Sequence, residues 1–164
     1  MRMIRNKILS LLERNAKYTS KEISIFLDIP EDEIKSEIAG LEKEQIICGY
    51  SALINWDKTD ADSLTALIEV RVTPVRGQGF NNIAARISRF DEVKSLYLMS
   101  GGYDLAIIVE GKTLKDIAFF VSDKLSPLES VLSTATHFVL RKYKDHGVIF
   151  EEQDDCDERM IVSP

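Results

Sequence analysis

The chain has 164 residues, 45% of them hydrophobic and 29% charged, with a formal net charge of −6. That is the balance of a soluble protein made of one domain or two small ones. No apolar run approaches the ~20 residues that span a bilayer, and the N-terminus opens on a charged amphipathic pattern rather than a signal peptide, so a cytoplasmic protein without membrane contact is expected.

The first fifty residues read as three helices. Ile4, Ile8, Leu11 and Leu12 recur at helical spacing and predict a first helix ending near Asn15. Thr19 followed by Glu22 is a capping-box pattern that starts a second helix, with Ile23, Phe26 and Leu27 on its buried face. Asp28-Ile29 makes a turn, and Pro30 suits the first helical position of a third helix, since its missing N–H would be unpaired there. That helix buries Ile34, Ile38 and Leu41 and runs out near Gln45. Three short helices with tight turns match the helix-turn-helix plan, in which the third helix enters the major groove of double-stranded DNA.

The charges fit this plan less easily. Residues 1–50 carry 8 basic and 9 acidic groups, and the third helix holds Glu31, Asp32, Glu33, Glu37, Glu42 and Glu44 against Lys35 and Lys43. Acids in the first turn stabilise the helix by roughly 0.3–1 kcal/mol each through its dipole, yet they repel phosphates. Positive charge lies elsewhere, on Arg2, Arg5, Lys7, Arg14, Lys17 and Lys21. Two readings stay open: DNA binding through that basic edge, or a head kept for assembly or for a partner protein.

Residues 46–54, Ile-Ile-Cys-Gly-Tyr-Ser-Ala-Leu-Ile, read as a strand leaving the head, a wing or linker strand. Trp56 then opens a polar stretch, so residues 51–62 are assigned to a linker; Trp56 is either a packing anchor between domains or a platform for stacking bases. From residue 63 the elements alternate. Ala66, Ile68, Val70 and Val72 mark a half-buried strand. Arg76-Gly77-Gln78-Gly79 forms a loop without the spacing or lysine of a phosphate-binding loop. Phe80, Ile83, Ala84, Ile87 and Phe90 mark a helix. Strands over 93–99 and 103–109 follow, joined by Ser100-Gly101-Gly102. A helix on Leu114, Ile117, Ala118, Val121 and Leu125 comes next, then a long strand over 131–143. The βαββαβ order over 63–146 predicts a ferredoxin-like sheet with both helices on one face and the other face covered by a second copy. The fold class is therefore α+β, a winged helix-turn-helix head followed by a ferredoxin-like domain.

Residues 147–164 are expected to be an acidic mobile tail; within them 148–164 hold 6 acidic groups and 1 basic group. The tail either solvates the chain or competes with phosphates for its basic groups. Cys48 and Cys156 lack metal-ligand spacing and are expected to be reduced thiols. His137 sits on a strand and His146 in an Asp145-His146-Gly147 turn, with no nucleophile at defined spacing, so neither an enzyme nor a cofactor or metal is expected.

Several runs together resemble the Lrp/AsnC (feast/famine) regulators. Ile8-Leu9 and Leu12 match in the first helix. Leu41-Glu42-Lys43-Glu44-Gln45-Ile46-Ile47-Cys48-Gly49-Tyr50 follows the family's L-E-x-x-G-I-I-x-G-Y run. Gly102-Tyr103-Asp104-Leu105 follows its glycine turn, and Thr134-Ala135-Thr136-His137-Phe138-Val139-Leu140 follows its last strand. The resemblance implies a transcription regulator, dimers built through the sheet domains and often assembled into octamers, and an amino acid or related metabolite bound between subunits. It carries DNA contacts to Thr19, Ser20, Lys21, Lys35 and Ser36. It carries effector contacts to Met99, Ser100, Gly101, Gly102, Tyr103, Asp104, Thr134 and Thr136. Glycines let a ligand approach backbone N–H groups that hold a carboxylate, Asp104 can pair with an ammonium, and Tyr103 or Met99 can line an apolar slot. The plainer alternative is that Gly101-Gly102 only make a tight hairpin that Asp104 caps. Three departures concern the DNA contacts: Pro30 replaces a serine cap, Glu37 an arginine and Gln45 a glycine. Sirohaem decarboxylases also resemble this architecture, but the second domain here lacks the concentrated basic residues that such a substrate needs.

Overall fold

In the computed structural model residues 2–74 and 79–150 are described; Arg76, Gly77 and Gln78 of the expected loop, the acidic stretch over 151–158 and Cys156 lie outside them. The chain separates into two compact units between Ile54 and Asn55.

In the first unit α1 (Arg2–Arg14), α2 (Ser20–Leu27) and α3 (Glu31–Lys43) enclose Ile8, Leu12, Ile23, Ile34 and Leu41. Each such side chain removed from water contributes about 1.5–3 kcal/mol. Thr19 caps α2 as the sequence predicts. Its hydroxyl accepts the Glu22 N–H at 3.2 Å, and the Glu22 carboxylate accepts the Thr19 N–H at 2.8 Å. Donation from the Thr19 N–H, and next from its hydroxyl, holds the Glu22 carboxyl below the usual carboxylate range. Asp28 ends α2 in the left-handed region, φ 56. Phe26 is 55% exposed rather than buried and meets Tyr18 edge-on. An eight-residue helix buries one narrow stripe, and Ile23 with Leu27 fills it.

Pro30 stands one place earlier than expected, as the N-cap of α3, where extended backbone turns its carbonyl toward the N–H groups of Glu33 and Ile34. At the other end, Gln45 N–H donates to the Glu42 carbonyl (3.0 Å) and Ile46 N–H to the Leu41 carbonyl (2.9 Å), with Gln45 at φ 55. This is a Schellman closure, whose left-handed residue is usually glycine. The predicted strand over 46–54 is not formed, and the described head has no strand and hence no wing. A strand needs a backbone ladder beside it, and among the described residues none is offered; Ile46, Tyr50, Leu53 and Ile54 are 40–51% exposed.

The second unit opens with a single 3₁₀ turn, Trp56–Lys58, capped by Asn55. Then come β1 (Leu64–Val72), α4 (Asn81–Ile87), β2 (Val93–Leu98), β3 (Leu105–Gly111), α5 (Leu114–Phe119) and β4 (Val131–Phe138). The strands lie in the order β2-β3-β1-β4, every neighbour antiparallel, which is the ferredoxin-like sheet. Ala66, Ile68, Val70 and Val72 of β1 and Leu105, Ile107 and Val109 of β3 face Ile83 and Ile87 of α4 and Ile117 of α5. Leu67, Glu69 and Arg71 alternate onto the other face, beside Ala106, Ile108, Ala135 and His137. His137 Nε2 lies 3.5 Å from the Glu69 carboxylate there.

Two elements end differently from the sequence pattern. α5 passes into a π turn over Phe120–Leu125, in which the Ser126 N–H reaches the Val121 carbonyl. The wider turn buries Phe120 and Leu125 together and leaves Ala118 and Leu114 exposed. β4 stops at Phe138 rather than near Tyr143, because Val139 already bonds Thr65 at the start of its partner strand. The chain then makes a small hairpin, β5 (Lys144–Asp145) and β6 (Val148–Ile149). His146 (φ 44) and Gly147 (φ 81) form its turn, both left-handed as tight hairpins require.

Gln45→Gly should relieve the strained closure of α3 and stabilise the head by about 0.5–1 kcal/mol, the left-handed penalty less the entropy that glycine loses. A higher urea midpoint of the helical circular-dichroism signal would show it; a lower midpoint would contradict the strain.

Candidate functional site

The residues proposed for DNA fall on two helices of the head. Thr19 caps α2, and Ser20 and Lys21 occupy its first turn, Ser20 half-buried and Lys21 exposed. Lys35 and Ser36 are exposed on α3, but Lys35 Nζ is bound to the Glu31 carboxylate at 2.8 Å, with Asp32 at 4.0 Å.

The acidity of α3 is largely committed inside the head. Arg5 of α1 donates from Nε to Glu37 at 2.7 Å and from its two terminal nitrogens to Glu44 at 2.8 and 2.9 Å. Glu44 first, then Glu37, raises the guanidinium pKa, and Arg5 holds the Glu44 carboxyl below its ordinary range. The guanidinium crosses α3 at Gly40, where an added Cβ would stand 3.1 Å from it. This close approach gives a reason for a helix-interior glycine, which elsewhere costs up to about 1 kcal/mol against alanine. The Tyr50 hydroxyl donates to Glu42 at 2.8 Å. Glu31, Glu37 and Glu44 are thus paired with cations and Glu42 accepts a neutral hydroxyl, while Asp32 and Glu33 are exposed. The same pairings correct the expected basic edge: Arg5 is occupied by carboxylates.

The residues proposed for an effector lie at one end of the sheet. Met99 N–H closes on the Asp104 carbonyl at 2.8 Å, and Asp104 N–H on the Val70 carbonyl at 3.0 Å, so the turn is stitched to both β2 and β1. Ser100, Gly101 and Gly102 are exposed, Met99 is 40% exposed, and Tyr103 is half-buried. Gly101 adopts φ 151, a conformation that other residues rarely take. Asp104 accepts the Val72 N–H on Oδ2 at 2.8 Å, where the β1–β4 register slips between Arg71 and Val72. The carboxylate therefore does cap backbone. Thr134 and Thr136 are half-buried, opposite Val70 and Ile68 on β4. Two strand spacings, about 10 Å, separate Thr134 from β3, so one subunit does not bring the threonines and the turn onto a single small ligand.

Sequence reasoning missed Arg71, whose Nε donates to the Gly102 carbonyl at 2.9 Å. In the sequence it is only the polar member of an alternating strand; the strand pairing that sets it beside the turn leaves no mark there.

The model of the Lrp/AsnC ligand binding domain matches residues 65–149. The chain is 51% identical over 159 residues to the uncharacterized HTH-type transcriptional regulator YugG of Bacillus subtilis, covering 96% of this chain and 95% of the relative. It is 26% identical over 137 residues to the HTH-type transcriptional regulator LrpA of Pyrococcus abyssi, covering 84% and 94%. A solved complex of a Neisseria meningitidis transcriptional regulator with L-Met superposes with a TM-score of 0.70 at 24% identity, over 87% of this chain and 91% of that one. The leucine response regulatory protein LrpA of Mycobacterium tuberculosis gives 0.72 at 19% identity, over 87% and 94%. With its three-helix head and a sheet domain that fits this ligand-binding model, the chain belongs to the Lrp/AsnC family of HTH-type transcriptional regulators.

Proposed function

We propose that the protein is a self-associating transcription regulator that binds double-stranded DNA through its head and responds to an amino acid held at the glycine turn. The observation that carries this reading is the order of the two units: a capped α2–α3 helix-turn-helix, then a domain fitting the family's ligand-binding model. The Neisseria relative solved with L-Met supports the choice of an amino acid. The pairing of three α3 carboxylates with cations, Glu37 and Glu44 with Arg5 and Glu31 with Lys35, supports DNA binding, because it offsets part of the local repulsion that the sequence suggests. Lys21, exposed beside Thr19 and Ser20 in the first turn of α2, is the basic residue assigned to the phosphate backbone.

Self-association through the sheet face that bears Leu67, Ile108 and Tyr97 gives the assembly, with dimers as its unit and octamers as the family's larger form. A ligand between subunits then draws on the glycine turn at the end of the sheet, whereas Thr134 and Thr136, paired with Val70 and Ile68, lie on the helix-covered face and are not assigned to it. Bound ligand favours one assembly geometry by its difference in affinity between geometries, and so resets the spacing of the heads on paired DNA sites. The cytoplasm, where its DNA lies, is the compartment proposed for it. It is proposed to act as a regulator without catalysis or a cofactor.

Lys21→Ala should weaken binding to DNA from around the protein's own gene and reduce the slope of log K against log salt by about 0.9 for each head engaged. Fluorescence anisotropy across a salt series reads this, and an unchanged slope removes Lys21 from the phosphate contacts. A wild-type protein that binds no DNA at low salt, yet shifts with an amino acid, would instead be a sensing module acting through a partner protein.

For the sensor, Asp104→Ala confounds two effects, because it strips the Val72 N–H of its acceptor at a cost of about 1–3 kcal/mol. Asp104→Asn retains an acceptor while removing the charge. It should melt close to the wild type without ligand and lose most of the thermal shift given by the best amino acid. A full shift in Asp104→Asn would refute the ammonium assignment.

A further inference from the structure

Two opposite charges lie at the glycine turn. The Asp104 carboxylate accepts the Val72 N–H, and Arg71 Nε donates to the Gly102 carbonyl. Arg71 is exposed, and that neutral carbonyl takes one of its five N–H donors. Among the described residues no carboxylate pairs with Arg71, and no ion pair joins it to Asp104. Contrast Arg5, whose donors are taken up by two glutamates. Gly101 and Gly102 of the same turn open onto free space, with no atom within 4 Å of where a Cβ would stand.

We propose that Arg71 holds the carboxylate of the effector, with Asp104 on its ammonium, so that the turn recognises the zwitterionic end common to α-amino acids. This rests on the amino-acid reading above and adds the residue that supplies the cation. A guanidinium held through Nε keeps its terminal nitrogens in the plane and spacing that suit a carboxylate, whereas backbone N–H groups of an exposed glycine turn carry no net charge. The two charges stand apart in the free protein, and the ligand supplies the counter-charge for each. Selectivity among amino acids then falls to the neighbouring Met99 and Tyr103.

The test is calorimetric titration of full-length wild type, Arg71→Gln and Arg71→Lys. The probes are the amino acid that most raises the melting temperature among the twenty, and the amine that is its decarboxylated form. Arg71→Gln should bind the amino acid about 10- to 100-fold more weakly, the range of a charge-assisted hydrogen bond, and Arg71→Lys should fall between. Wild type should bind the amine more weakly than the amino acid by a similar factor, while Arg71→Gln should bind the two alike. Circular-dichroism melts and light scattering establish that the variants fold and associate. Wild-type affinity for the amino acid in Arg71→Gln overturns the assignment, also where that variant no longer associates, which makes Arg71 an interface residue. A wild type that binds none of the twenty overturns the amino-acid reading itself, and the assignment with it.

Discussion

The bond from the Val72 amide to the Asp104 carboxylate holds together the end of the sheet on which the sensing unit depends. β1 is an inner strand, bonded to β3 on one side and to β4 on the other, and its register slips next to Val72. The pairing of β1 with β3 ends at Val70 and Leu105, so the Val72 N–H beyond it has no ladder partner, and such a group, if buried, costs about as much as a lost hydrogen bond. Asp104 takes that donor while its own N–H bonds Val70 and its carbonyl receives the Met99 N–H. Three contacts from one residue thereby fix where the glycine turn stands. The turn can be exposed and nearly free of side chains and still keep a defined shape.

Charge pairing plays the corresponding part in the head. Arg5 bridges α1 to two positions of α3, and Gly40 leaves the guanidinium room to lie across the helix. Individual exposed ion pairs contribute little, with a median of about 0–1 kcal/mol, and their effect here is one of placement. A bidentate contact to Glu44 with a third bond to Glu37 sets how α3 lies on α1. The helix that looks acidic in the sequence then presents fewer unpaired charges than its composition suggests. Glu37 is the partner of a cation that comes from another helix.

Both units thus use the same economy of parts: an apolar core laid down by periodic positions, and a few polar contacts that decide local geometry. The core of the sheet unit is continuous from Ala66 to Val72 through Ile107 to Ile117 and Phe120, and it leaves one face of the sheet to mixed side chains. Leu67 and Ile108 on that face stand next to Glu69 and His137, a composition suited to an interface that forms between folded subunits rather than to a permanent interior.

Helix periods, capping pairs and strand alternation depend on neighbours a few positions away, and the sequence by itself determined these. The Thr19–Glu22 box, the buried row Ala66, Ile68, Val70 and Val72, the βαββαβ order and the family itself were all readable from local pattern. The errors arose where local pattern meets a distant constraint. The strand over 46–54 found no ladder among the described residues, β4 ran out of partner at Thr65, and a π turn exchanged Ala118 for Phe120 in the core. Of the candidate sites, the glycine turn was legible because tight hairpins restrict residue type. The pairing of Arg5 with Glu37, 32 positions apart, and the reach of Arg71 to Gly102, 31 positions apart, were decided only by the tertiary structure. No residue type marks such a pair in advance, since an exposed arginine is equally compatible with solvent, a phosphate or a carboxylate until the packed backbone brings one of them within reach.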